Sequence, residues 1–316
     1  MSLRYLHHAE IDLAAWDTCV TVAQASVPYA YSWWLTVTVG KWDAVVELND
    51  ATGAYNSILP LPAKWRPWGR QVYQPAFTQQ LGLLTTAESQ QQNLTEYLAL
   101  VAGRYSRFYT QANVSNNIWQ LPAGFASTER RTYLLDLAPN YATLLAGYAA
   151  DYKRRLRRNQ QQIQPLVVKE GETGTALVEL FRLYKGGEVA ELKAWHYRQL
   201  AALINALQAR GLASIVEVRQ PGTDNLLASA LFVKHRGGLI YLFAAASPAG
   251  KQAGAPLLLL DHTIQQYAGT PGFVLDFEGG MIPSIARFFA NFGATPAPYA
   301  AVALSTPQPW YMLWKP

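Results

Sequence analysis

The chain has 316 residues, half of them hydrophobic and only 15% charged, which is enough apolar material for one large or two ordinary domains and excludes a disordered chain. The net charge of +5 is consistent with a phosphate-bearing or otherwise acidic partner, and equally with an ordinary mildly basic protein that needs none. The lone cysteine, Cys19, excludes an internal disulfide and a Cys-rich zinc site, and the five histidines form no HExxH or HxxxH pair, so no metal is expected.

In chain order, the first helix is expected at "LAAWDTCVTVAQA" (13–25), with Asp12 as its cap. Strand-like runs follow at 42–48, 55–65 and 71–84, then a helical stretch at 88–105 and strands at 107–114 and 131–137. "APN" (138–140) is a natural break. Beyond it lie a long helix (140–163), two helical segments (174–184 and 191–210) and three strands (213–220, 225–236 and 239–247). A helix near 254–268 closed by Gly269, the strand "GFVLDF" and a last strand near 298–304 complete the reading. Three strands, a helix and a further strand thus occur in both halves. The expected fold is α/β (α+β), as two similar modules at 1–138 and 139–316, each with a mixed, mostly antiparallel sheet flanked by helices.

Three stretches could carry chemistry. "YKRRLRRNQQQ" (152–162) places Lys153, Arg154, Arg155, Arg157 and Arg158 within six residues. On a helix, Lys153 faces with Arg157 and Arg154 with Arg158, so like charges repel at i,i+4 unless an anion sits on them. Asp151 is placed to pair with Arg155. A solvated helix face is the competing reading. "SPAGKQAGAPLLLL" (247–260) offers Gly250, Lys251 and Gly254 before a helix opening at Pro256, a pattern suited to phosphate oxygens and equally to an ordinary strand-to-helix turn. Finally, "FVLDFEGG" (273–280) delivers Asp276 and Glu278 to a Gly-Gly turn, with Arg287 on the segment behind. These acids read either as a cleft floor, where a carboxylate takes the proton of an attacking amine, or as a capped turn. The chain has no Walker loop, G-x-G-x-x-G or G-x-S-x-G motif.

Two of these stretches, with the strand ahead of them, resemble one family. "RTYLLDL" (131–137) followed by "RRN" (157–159) on a basic helix is similar to the linker region of the Fem-type aminoacyltransferases. Asp276, Phe277 and Gly279, then Phe288, Phe292 and Gly293, resemble that family's D-F-x-G strand and F-K-x-x-F-G segment, and 250–256 is a loose version of the acyl-CoA N-acyltransferase (GNAT) phosphate loop. The resemblance implies two tandem GNAT-like modules and transfer of an activated acyl or aminoacyl group to an amine. Asp276 and Glu278 would then be catalytic. Lys153, Arg154, Arg157, Arg158 and Arg287 would hold the substrate or anion, and Gly250, Lys251 and Gly254 the donor's phosphates. No tightly bound cofactor is implied, with acyl-CoA as a possible co-substrate. The expected partners are an amine acceptor and a phosphate-bearing donor.

Two departures weigh on this. Phe289 stands where the family has lysine, and no extended helical arm exists, which disfavours tRNA as the donor and leaves acyl-CoA open. The alternative is a non-catalytic protein of the same fold that binds an anionic ligand. With no signal-like opening and no apolar run near the span of a bilayer, the chain is expected to be cytoplasmic, with no membrane partner.

Overall fold

The computed structural model describes residues 2–116, 118, 120–184 and 193–305. The chain divides into two compact units, Met1–Arg130 with the segment from Pro298 onward, and Arg131–Ala297. The sequence reading set its break at 138/139. The compact units divide instead at 130/131, inside a strand, and the C-terminal strand is counted with the first unit because it pairs there.

In the first unit the elements are β1 (Ser2–Leu6), α1 (Leu13–Val22), α2 (Ser32–Thr38), β2 (Trp42–Leu48), β3 (Tyr55–Arg66), β4 (Gly69–Val72), β5 (Leu84–Thr85), α3 (Leu94–Val101) and β6 (Arg107–Gln111). Asp12 caps α1 as expected, accepting from the N–H groups of Ala14 and Ala15. The sheet order is β1-β2-β3-β4-β6. Residues 301–305 of the last strand pair antiparallel with β6. All other pairs are antiparallel except β4 with β6. Val45, Leu59, Leu61, Val72, Tyr97, Leu98 and Phe108 belong to its core.

Two expected elements are shorter than read. The strand at 71–84 holds only Gly69–Val72 and Leu84–Thr85, because side chains replace the ladder: Asn113 Nδ2 donates to the carbonyls of Leu81 and Leu83, and Asn116 Nδ2 to that of Leu83. The helix at 88–105 begins only at Leu94, because 89–91 wrap the buried carboxylate of Glu47, which accepts from Ser89 Oγ and the N–H groups of Gln90 and Gln91.

In the second unit β7 (Phe125–Asp136) enters from 131 and is followed by α4 (Tyr141–Gly147), α5 (Ala150–Gln160), β8 (Val167–Glu170), α6 (Thr175–Tyr184), α7 (Ala194–Gln208), β9 (Ala213–Arg219), β10 (Leu226–His235), β11 (Gly238–Ala246), α8 (Pro248–Ala253), α9 (Ala255–Tyr267), β12 (Val274–Asp276), α10 (Pro283–Ala290) and the start of β13 (Thr295–Ser305). The order β7-β12-β11-β10-β9-β8 is antiparallel apart from β11 with β12. The fold is therefore α/β with mostly antiparallel pairing. Each unit has one parallel strand pair with helix between its strands in the chain, β4 with β6 and β11 with β12.

The expected long helix at 140–163 is two helices. Tyr148 and Ala149 are extended between them, and the Ala149 N–H donates to the Asn291 carbonyl at 2.9 Å, so a tertiary bond replaces a helical one. Part of the segment expected helical at 191–210 lies outside the described residues.

Candidate active site

The geometry of the site follows from where a ladder ends. β11 and β12 pair over Gly238↔Val274, Leu239↔Leu275 and Ile240↔Asp276, and the pairing goes no further. From Tyr241 to Ala246 that flank of β11 faces no strand among the described residues, while β10 continues to pair on its other side. A sheet that opens between two parallel strands offers a slot lined by unpaired backbone groups.

Asp276 is the last residue of the closing pair and faces Leu134 of β7 on its other side. Its Oδ1 accepts from the Thr132 hydroxyl and, at 2.8 Å, from the Glu278 N–H. No cation lies at ion-pair distance among the described residues. Burial pushes its carboxyl up to about 6 despite these two donors, which pull the other way. Below it, Phe277 is fully buried and stacks on Phe289 at 4.6 Å. The backbone then turns through Glu278 at φ +52, an uncommon conformation for a residue with a side chain. Gly280 is required in this turn, since a Cβ there would come within 2.8 Å of the Tyr133 ring. Asp276 and Glu278 are thus in one turn, with the Glu278 backbone capping Asp276.

Arg287, on α10, is exposed, and no ion pair joins it to Asp276. Phe289, at the position of the family's lysine, is buried among Tyr133, Tyr241, Phe277 and Phe288. This residue fills the core beneath the turn, so its loss of charge relative to the family goes with packing.

The basic helix α5 docks through its apolar face. Tyr152 and Leu156 are buried, and Tyr152 meets Phe288 and Phe292 and donates to the Phe288 carbonyl. Two of its cations have local partners: Lys153 Nζ donates to the Ala146 carbonyl at 2.9 Å, and Arg154 pairs with Asp151. Asp151 was expected to reach Arg155; the i,i+3 contact with Arg154 takes it instead. Arg157 and Arg158 are exposed.

Arg155, not assigned a role in the sequence reading, lies elsewhere. Its guanidinium sits against Gly254 so closely that a Cβ on Gly254 would be 2.9 Å from Nη2. Gly254 has φ +81 and stands between the end of α8 and the start of α9. The basic helix and the glycine loop therefore meet through one arginine. Nothing in the sequence marks Arg155 out from its four neighbours, and only the helix docking selects it.

The loop itself is more helical than read. Ser247 caps α8, accepting from the Gly250 N–H at 3.0 Å. Gly250 is buried because its Cα lies against β10: a Cβ would be 2.1 Å from the Leu227 carbonyl oxygen. Its small size serves this approach to the strand, and its N–H is already used. Lys251 is exposed on α8. Asp261 on α9 is a further buried carboxylate, accepting from the Tyr141 hydroxyl at 3.0 Å and raised by burial. A shallow concavity lined by Lys169, Glu170, His262 and Gln265 includes none of the expected residues. Among the described residues no group of three or more His, Cys, Asp or Glu could hold a metal ion.

Residues 146–282 match the family described as "Acetyltransferase (GNAT) domain". The matched residues lie in the second unit. They span α5, the Gly254 loop and the Asp276 turn. The whole chain is also similar in fold to several solved structures. It is similar to FemX at 13% identity and a TM-score of 0.67, covering 99% of this chain and 100% of that one. A tandem GNAT protein from the clavulanic acid biosynthesis pathway matches at 13% identity and 0.54, over 98% and 100%. The C-terminal domain of a putative lysylphosphatidylglycerol synthetase from Agrobacterium fabrum matches at 12% and 0.52, over 93% of each. No curated protein sequence matches the chain. The Fem-like and GNAT resemblance read from the sequence thus holds in domain family and in fold.

Proposed function

We propose that the chain transfers an activated acyl group from a phosphate-bearing donor to an amine, in the slot that opens between β11 and β12. The observation that carries this is the position of Asp276: a carboxylate with no cationic partner among the described residues, held at the closing end of the slot. An ammonium must lose a proton before its nitrogen can attack. In the proposed step Asp276 takes that proton, and Glu278 positions the acceptor. The nitrogen lone pair then forms a bond to the acyl carbon. The C–S or C–O bond to the donor breaks, the nitrogen gives its second proton to the leaving thiolate or alkoxide, and Asp276 releases the first proton to solvent.

The donor's phosphates are assigned to the other end of β11. Lys251, Gly254 and Arg155 lie there, with Arg154, Arg157 and Arg158 as further cations and Arg287 and Lys153 available toward the acceptor. From Ile240 to Ala246 an extended strand covers ~20 Å. A donor reaching from these cations to Asp276 needs a long arm between its phosphates and its reacting carbonyl. Acyl-CoA has such an arm; in an aminoacyl-tRNA the ester lies on the terminal ribose, close to its phosphate. That comparison supports acyl-CoA as co-substrate over tRNA. The non-catalytic reading, an anionic ligand in the same slot without transfer, draws on Phe289 in place of lysine.

The test is a melting-temperature screen against acetyl-CoA, longer acyl-CoAs and aminoacyl-tRNA, followed by acyl release with a panel of primary amines. A donor at a hundred times its Kd stabilises by about 2.7 kcal/mol. Stabilisation by acyl-CoA that is lost in Arg155→Ala, with amine-dependent release of free CoA, is the expected result. Stabilisation without release would favour the non-catalytic reading, and no response to any donor would overturn both.

A further inference from the structure

A second feature lies in the first unit and involves none of these residues. β3 and β4 are joined by a two-residue turn, Pro67-Trp68, with Arg66 paired to Gly69. At its tip Trp65 is 76% exposed and Trp68 40% exposed, and Arg66 beside them is exposed too. Exposing two indoles at one hairpin tip is costly in water, because each forfeits the burial its ring could gain.

The surroundings of the tip are uniformly basic. Segments 64–73 and 102–111 contain Lys64, Arg66, Arg70, Arg104 and Arg107 and no acid. The two segments are neighbours: Gln71 pairs with Arg107, and the Ser106 N–H donates to the Arg70 carbonyl. Arg107 lies over the Trp68 ring at 4.6 Å, Lys64 over Tyr73 at 3.7 Å and Arg104 over Tyr5 at 4.4 Å. Arg70 alone is neutralised, by Asp43 at 2.5 Å. The rest form an aromatic tip surrounded by cations braced on aromatic rings.

We propose that this hairpin docks the protein on an anionic membrane surface, with Trp65 entering the headgroup layer and the surrounding cations on lipid phosphates. Indole rings favour that layer because one part is apolar and the N–H remains wet. Clustered Lys and Arg add attraction to anionic lipid that decays within a Debye length. The contact is peripheral: among the described residues no helix is long and apolar enough to cross a membrane. The expectation of no membrane partner rested on the lack of such spans and did not weigh this patch. A single-stranded nucleic acid fits less well. It stacks successive bases on successive open rings, whereas Arg107 covers the Trp68 ring and leaves Trp65 as the open one.

The test is co-sedimentation of the full chain with vesicles of phosphatidylcholine alone and of phosphatidylcholine with one quarter phosphatidylglycerol, at low and high salt. Binding to the anionic vesicles at low salt, weakening as salt rises, is expected. Trp65→Ala should weaken partitioning about tenfold, and Arg66→Ala about fivefold. Both side chains are exposed, so the variants keep the wild-type melting temperature. Arg198→Ala, which removes an equal charge from the second unit, should change partitioning less than twofold. No binding to anionic vesicles at low salt would overturn the proposal. So would binding that survives both hairpin substitutions, which would place it on α5. Displacement of the vesicles by single-stranded RNA that itself depends on Trp65 would also overturn it, in favour of a nucleic-acid surface.

Discussion

Asp43 and Glu47 of the first unit are buried carboxylates, Asp276 of the second is half-buried at a strand end, and their surroundings differ. In the first, Asp43 is 2% exposed and has an arginine, Arg70, and the hydroxyls of Tyr5 and Tyr105 on it. Glu47 is fully buried and accepts from Ser89 Oγ at 2.7 Å and from the N–H groups of Gln90 and Gln91. In the second, Asp276 has one hydroxyl and one backbone N–H, no cation among the described residues, and a proton affinity raised by burial. A carboxylate surrounded by donors is committed to holding the fold. One that is desolvated and under-compensated is prepared to exchange a proton. On the proposed function, that difference separates a structural acid from a reactive one.

The contrast can be broken in stages. Glu47→Ala leaves a buried hydroxyl and two backbone N–H groups without their acceptor and should cost about 3–5 kcal/mol by urea unfolding. A loss under 1 kcal/mol would remove the structural half of the contrast.

Asp276→Asn should act in a pH-dependent way. The folded pKa of about 6 lies above the ordinary aspartate value of 3.8, so the folded state holds this proton more tightly than the unfolded chain. The resulting stability is fully present below about pH 4 and is lost as pH rises through 6. Asparagine keeps an acceptor for Thr132 and the Glu278 N–H and carries no charge. The variant should therefore gain on the wild type between pH 4 and 7, by up to about 3 kcal/mol. A difference independent of pH would contradict the burial argument.

In transfer assays, the same substitution should lower the rate about a hundredfold or more if Asp276 is the base. Glu278→Gln should raise KM for the amine more than it lowers kcat. The reverse pattern would exchange their roles. The smallest effect belongs to the loop: Gly250→Ala forces a Cβ against the Leu227 carbonyl and should cost about 1–3 kcal/mol, with donor binding unchanged once folded. Loss of donor binding at full stability would return Gly250 to the phosphate site.

Much of the architecture was legible because it rests on local patterns. Asp12 before an apolar helix, the three strands ahead of α9 and Gly269 after it are read from capping and periodicity. The failures come from tertiary partners. Leu144, Tyr148, Tyr152 and Leu156 recur every four residues and read as one helical stripe, yet Asn291, far along the chain, captures the Ala149 N–H and breaks it. Strand β1 was not anticipated because its alternation is weak and its pairing with β2 crosses more than forty residues. At the site, the acid turn and the basic helix could be seen as stretches. Thr132 on Asp276 and Arg155 on Gly254 could not, since both depend on contacts between distant segments. The exposure of Trp65 and Trp68 was not legible either, since only the hairpin places them outside.

The most direct measurement is the titration of the Asp276 side-chain carboxyl by carbon NMR on protein labelled at aspartate, assigned by the signal missing in Asp276→Asn. The account predicts a midpoint near 6, about two pH units above an ordinary aspartate. A midpoint at or below 4 would show a carboxylate that burial does not raise, and would contradict Asp276 as the group that takes the proton.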